Sequence, residues 1–310
     1  MNRRDFLKSG LSAMGFLAVG GSLASGTTGC ASVPRQTAAG VPTFDHLLEQ
    51  GARVLWVGAH PDDESMVGAM LAKAGPKLGN PIHFYVLTHG DGGECTLPED
   101  CHPDLGSVRG EELKKVAALY GATLEHEYYW NAPLPVESFP KRHEIAHKWV
   151  KENGDPTPKI AKTIRAFKPD ILLTFDPKHG FTGHPEHQLA SRFATAAVRL
   201  AAEKQAALDG EPFHVANVYY GLNRYGIARL AGVADPFPAT DVFYGRQPCI
   251  GGKNCLEVMG EFTKPHRTQR NDMGTARLLT RFLINAYLYR VDPFVEIYDP
   301  FEPTDKVGMG

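Results

Sequence analysis

The chemistry-bearing residues of this chain fall into short groups with similar spacing. The first is His60-Pro61-Asp62-Asp63-Glu64, which directly follows the apolar run Val54-Leu55-Trp56-Val57-Gly58. His60 and Asp63 stand three apart at the start of a helix. An imidazole nitrogen and a carboxylate oxygen can therefore face one centre, a partial shell for Zn2+. Asp62 lies between them and is left to act as a base toward water. The two aspartates would serve equally well as a helix N-cap, a role that Asp fills readily. The second group is Gly183-His184-Pro185-Glu186-His187, which follows Phe175-Asp176 after a loop. His184 and His187 again stand three apart, and Pro185 suits a first helical turn. Two histidine-bearing strand-to-helix corners on one sheet can meet at one edge. An unrelated surface pair would not explain why two such corners exist.

A third group, His143-Glu144-Ile145-Ala146-His147, has metallopeptidase spacing: two histidines one helical turn apart with a glutamate between them. The extended form of that signature needs Gly at 150 and His at 153, where Val150 and Asn153 stand. Another form needs a downstream glutamate, and 153–185 contains none, so Glu186 would have to serve. The stretch reads as a helical surface insertion, with a zinc metallopeptidase as the minority alternative.

These corners require strands that end where helices begin. Short apolar, β-branched runs predict strands over 53–58, 82–87, 124–130, 169–175 and 215–220. Between them, helices are expected over 64–74, 107–120, 160–167 and 185–207, the second with an apolar face. A long helix over 270–289 and a last strand near 294–298 complete the reading. Alternation of this kind predicts an α/β fold: a Rossmann-like, mostly parallel sheet with helices on both faces. It forms a single domain over 46–310, with inserted loops at 95–106, 131–158 and 232–256. The turn after the first strand offers His60 and carboxylates where a dinucleotide enzyme needs glycines, so nucleotide binding is disfavoured.

The chain has 310 residues, 43% hydrophobic and 22% charged, with a net charge of −2. No basic run exceeds two residues and no basic patch interleaves with aromatics, so no nucleic-acid partner is expected. Arg3-Arg4 followed by Phe6-Leu7 and an uncharged stretch predicts a twin-arginine export signal over 1–30, with a polar linker over 31–45. The apolar part is short and broken by glycine, below the roughly 20 residues of a membrane span. Cys30 lies in a possible lipoprotein box, which leaves either a lipid anchor there or ordinary cleavage nearby. A periplasmic or envelope-anchored location follows. Cys95 and Cys101, like Cys249 and Cys255, are close enough for local disulfides in an oxidising compartment. Spacing leaves three pairings open, beside free thiols.

The two corner groups, Ala59-His60-Pro61-Asp62-Asp63-Glu64 and Gly183-His184-Pro185-Glu186-His187, resemble the signatures of the PIG-L / LmbE-like deacetylase family. Gly92-Gly93-Glu94, Arg109-Gly110-Glu111-Glu112-Leu113 and Leu119-Tyr120-Gly121-Ala122 are similar to its middle stretch. His266-Arg267-Thr268-Gln269 is similar to its late His/Gln segment. The resemblance spans about 50–300 and implies a zinc-dependent N-acetylglucosaminyl deacetylase. It assigns the metal to His60, Asp63 and His187, the general base to Asp62 and oxyanion stabilisation to His184. Arg109, Glu94 and His266 are then expected to contact substrate. The partner would be an amino sugar or glycan, with the insertions shaping a groove for more than a monosaccharide. A non-catalytic sugar-binding surface protein is the alternative of a different class.

Overall fold

The computed structural model describes residues 40–96, 99, 101–224 and 237–304. The expected export signal, Cys30 and most of the linker lie outside the described residues. A short helix α1 (Phe44–Glu49) leads into β1 (Val54–Gly58). There follow α2 (Gly68–Ala72), β2 (Ile82–Thr88), α3 (Leu105–Tyr120), β3 (Ala122–Tyr129), α4 (Arg142–Asn153), α5 (Pro156–Phe167), β4 (Ile171–Phe175), α6 (Pro185–Ala202) and β5 (Asn217–Leu222). The chain continues through β6 (Asp241–Tyr244), α7 (Cys255–Phe262), α8 (Arg270–Leu279) and β7 (Asn285–Val291). The seven strands form one sheet in the order β3-β2-β1-β4-β5-β7-β6. Five are parallel, while β7 runs antiparallel to both β5 and β6.

Every residue of β1, β2 and β4 is buried, as strands covered on both faces must be. The pleat alternates the side chains. Val54 and Trp56 face a core completed by Phe44, Met70, Tyr120 and Met259. Leu55 and Val57 face the opposite core, built by Trp149, Ile164, Phe193 and Val198 from α4, α5 and α6. Both predicted helical layers are present. Strand order reverses between β1 and β4, whose carboxyl ends open the crevice where ligands settle in such sheets.

Two parts depart from the sequence reading. The predicted helix over 270–289 stops at Leu279, and Asn285–Val291 is the strand β7. Its burial alternates over most of its length, the period of a strand lying against one core. No strand forms at 294–298, where the backbone turns after Asp292. The segment expected as a surface insertion is the helix α4, whose Ile145, Ala146 and Trp149 are integral to one core. Cys95 and Cys101 form a disulfide, whereas Cys249 and Cys255 are free thiols. No helix among the described residues is long and apolar enough to cross a membrane.

Candidate metal centre

The corner after β1 is held by Asp63. Its Oδ2 accepts hydrogen bonds from the backbone N–H groups of Ala59 and His60, both at 2.8 Å. These bonds close the turn and leave Oδ1 free to face inward. Asp62 takes φ 106°, a left-handed conformation that costs a non-glycine residue about 1–3 kcal/mol. The surroundings hold it there. Gln269 Nε2 donates to Asp62 Oδ2, and Gln269 and Arg109 both donate to Pro61 O, at 3.1 and 2.8 Å.

The corner after β4 is shaped by Asp176. Its carboxylate accepts from the backbone N–H groups of Lys178, His179 and Phe181 at 2.8–3.2 Å. The loop ends at His184, the N-cap of α6, with Pro185 opening the helix as expected. Gly180 sits at φ +59°, and a Cβ there would come within 2.7 Å of the His187 Cβ. The backbone can therefore approach His187 only as glycine, and the Gly180 carbonyl accepts a hydrogen bond from His187 Nδ1 at 2.9 Å.

That bond settles the His187 ring. A carbonyl can only accept, so Nδ1 carries the proton and Nε2 presents a lone pair in the neutral ring. His187 Nε2 lies 2.9 Å from Asp63 Oδ1 and 3.1 Å from His60 Nδ1. His60 is fixed in the same way, because its Nε2 lies 2.5 Å from Glu186 Oε2 and donates to it. With both rings neutral, two imidazole lone pairs and a carboxylate oxygen converge on one point. Such a set suits a cation, and borderline-soft nitrogen with carboxylate oxygen suits zinc. Histidine backed by a carboxylate is the usual outer support of such a ligand.

His60, His184 and His187 also bring ring nitrogens within 4.8 Å of one another, a cluster that could hold a divalent metal. His184 differs from the other two. Its Nδ1 accepts from the Glu186 N–H at 3.2 Å, so the proton sits on Nε2. Burial and the neighbouring His60 and His187 push its pKa well below the ordinary histidine value, which keeps the ring neutral. It is better placed to donate a hydrogen bond than to ligate. Burial raises Asp62 to about 6, with Asp63 and Glu64 adding to the rise and Arg109 and His266 opposing it.

An open cleft of about 620 Å3 contains this arrangement. Its walls include His60, Asp62, Asp63, His184 and His187, all five expected from sequence as catalytic or ligating groups. Glu94 and Arg109 also line it. The Arg109 guanidinium is already engaged by Gly90 O at 2.5 Å, Pro61 O and Asp62, so it braces the base. His266 does not line the cleft. It is 1% exposed and bonds Glu64 at 2.8 Å, behind Asp62. Its expected place among the substrate contacts is therefore corrected to one that supports the corner.

Three members of the site were given no role in it by the sequence reading. Glu186 is fully buried and accepts from His60, from Asn131 Nδ2 at 2.6 Å and from Ala132 N at 2.7 Å. Asn131 follows β3, and no local pattern marks it. Asp272 on α8 lines the cleft, its carboxyl raised to about 7 by burial and by Asp62. The remaining candidate group faces away from the cleft. Glu144 Oε2 accepts from Lys141 N at the start of its own helix, and His147 is exposed and packs on Phe301.

Glu186→Gln should weaken metal binding by roughly 10–100-fold, the usual effect of removing a carboxylate behind a ligating histidine. Competition against a metal chelator measures it. Unchanged affinity would mean that His60 does not depend on Glu186.

A Rossmann-like sheet with a candidate histidine–carboxylate metal site at its switch point is the class of protein that these features define. Within that class, residues 55–198 match the family model described as PIG-L, GlcNAc-PI de-N-acetylase. It is 32% identical over 201 residues to a 1D-myo-inositol 2-acetamido-2-deoxy-alpha-D-glucopyranoside deacetylase of Thermobispora bispora, covering 60% of this chain and 65% of that one. With the enzyme of the same name from Streptomyces scabiei it shares 34% over 186 residues, 56% of this chain and 57% of the other. The chain thus spans under two thirds of the length of these relatives. Among solved structures, the N,N'-diacetylchitobiose deacetylase of Pyrococcus horikoshii aligns with TM-score 0.55 at 15% identity, covering 81% of this chain and 88% of that one. The 4-carboxy-2-hydroxymuconate hydratase of Pseudomonas putida aligns with TM-score 0.54 at 15% identity, covering 79% and 99%. At such identities the likeness concerns the fold, and a hydratase with this fold shows that the fold alone does not choose the reaction.

Proposed function

We propose that the chain hydrolyses an N-acyl group, N-acetyl above all, on an amino sugar or glycan, releasing acetate and a free amine. The observation that carries the proposal is the convergence of the His60 and His187 lone pairs with Asp63 Oδ1, beside the braced carboxylate of Asp62. His60, Asp63 and His187 would hold the metal, with Zn2+ the ion best matched to these donors. When bound, it supplies Lewis acidity to the amide carbonyl and to the attacking water.

The protein groups divide the remaining work. Asp62 takes a proton from water as the water oxygen adds to the carbonyl carbon. Its position near pKa 6 suits a base that must later give the proton back. His184 donates from Nε2–H to the carbonyl oxygen as that atom gains charge, a contribution of about 3–4 kcal/mol for one such donor. The proton on Asp62 then passes to the nitrogen as the C–N bond breaks. Leu134, Val136 and Phe139 give the cleft an apolar wall suited to a short acyl group. Glu94 at the rim and the loop closed by Cys95–Cys101 support a substrate longer than one sugar. The sequence supports delivery by the twin-arginine route to the cell envelope, with Cys30 as a possible lipid attachment point.

Amine and acetate release from N-acetylglucosamine, its oligomers and its inositol glycoside tests the proposal. Release should stop with a chelator and return with zinc. A metal-loaded protein that releases nothing from any of them would overturn it.

A further inference from the structure

A second pocket is lined by residues that flank Gln269 in the chain. It is about 590 Å3, open to solvent, and lined by Lys264, His266, Arg267, Arg270 and Arg277. Four permanent cations around one pocket repel each other unless an anion is shared. Local neutralisation is incomplete. Glu261 serves both Lys264 and Lys253, the latter at 3.7 Å. Arg277 Nη1 bonds the uncharged Thr263 hydroxyl at 3.3 Å. Arg270 makes no ion pair among the described residues. Arg270 and Arg277 stand seven apart on α8, two helical turns, and so share a face.

The fifth lining residue supplies an independent observation. His266 is 1% exposed, its Nε2 is engaged with Glu64, and its Nδ1 is buried without a hydrogen-bond partner. A buried, orphaned ring nitrogen is costly, and an acceptor in the pocket would remove that cost. The Glu64 carboxylate holds His266 toward its charged form, in which both nitrogens donate. Hard cations that fork around a buried donor are the usual recognition set for a tetrahedral oxyanion.

We infer that the pocket formed by Lys264, Arg267, Arg270, Arg277 and the free Nδ1 of His266 binds a phosphoryl group, as inorganic phosphate or as the headgroup of a phosphate ester. The site is separate from the cleft yet close to it. Glu64 connects the two, because its Oε1 bonds His266 and its Oε2 accepts from the Asp62 N–H at 3.1 Å.

The test uses the metal-loaded full chain with 15N-labelled histidine. Inorganic phosphate is titrated at constant ionic strength against a chloride control, and phosphatidylglycerol vesicles in phosphatidylcholine form a second arm. Phosphate should move the His266 Nδ1 resonance saturably. Arg270→Ser with Arg277→Ser should weaken that binding by at least about tenfold, the loss of one charge-assisted contact. Vesicle binding that phosphate displaces identifies a lipid headgroup as the source, and phosphate binding without vesicle binding identifies the free ion. A His266 signal that stays still, or phosphate binding that survives both substitutions (as capture by the metal would), overturns the inference.

Discussion

Asp62→Asn should retain a full complement of metal and lose about 10^2–10^4-fold in turnover, the span attributed to a positioned general base. The amide keeps the shape of the carboxylate, and its oxygen can still accept from Gln269 and Arg109 as Asp62 Oδ2 does. The strained left-handed backbone at this position is held by bonds to Pro61 O, which the substitution does not touch. Only the ability to take and return a proton is removed. Metal analysis beside acetate release separates the two effects. Turnover close to that of the parent would take Asp62 out of the mechanism. Loss of metal together with turnover would make it a ligand.

The second large effect contrasts two histidines. His187→Ala should abolish stoichiometric metal binding and all turnover, because it deletes the lone pair that faces both Asp63 and His60. His147→Ala should leave metal and turnover intact. That ring is exposed and packs on Phe301, on the outer side of α4. The reverse pattern would restore the peptidase signature as the metal site. Thermal unfolding with and without zinc provides a second readout, since a lost ligand also removes the stabilisation that bound metal gives the folded state.

Much of the site was legible in the sequence because it is local. His60 and Asp63 are neighbours on one tight corner, and His184 and His187 on another. Each corner follows a strand whose continuous apolar run announces burial. Their meeting at one edge follows from β1 and β4 being adjacent parallel strands. What remained hidden is non-local. Asn131 and Asp272 reach the cleft from a loop and a separate helix, and nothing in their own neighbourhoods distinguishes them. Glu186 was visible within its motif, but its role depends on where the loop after β3 lands. The error over 270–289 has the same origin. Asn285-Ala286-Tyr287-Leu288-Tyr289 can be threaded on a helix, and it becomes a strand because β5 and β6 offer it two ladders. His266 lay in a stretch recognised correctly, yet burial moved it from the substrate side to the rear of the corner.

Glu186 has one consequence for how such a site can diversify. Its carboxylate joins His60 to Asn131 and Ala132, which begin the loop carrying Leu134, Val136 and Phe139 into the cleft. The wall that would select the acyl group and the histidine that would hold the metal are thus anchored to the same two oxygens. Loop exchange among relatives should succeed when Asn131 and the backbone amide at 132 travel with the graft. Transplants that omit them would change metal occupancy together with acyl preference, so new substrate scope in this scaffold is inherited as a block.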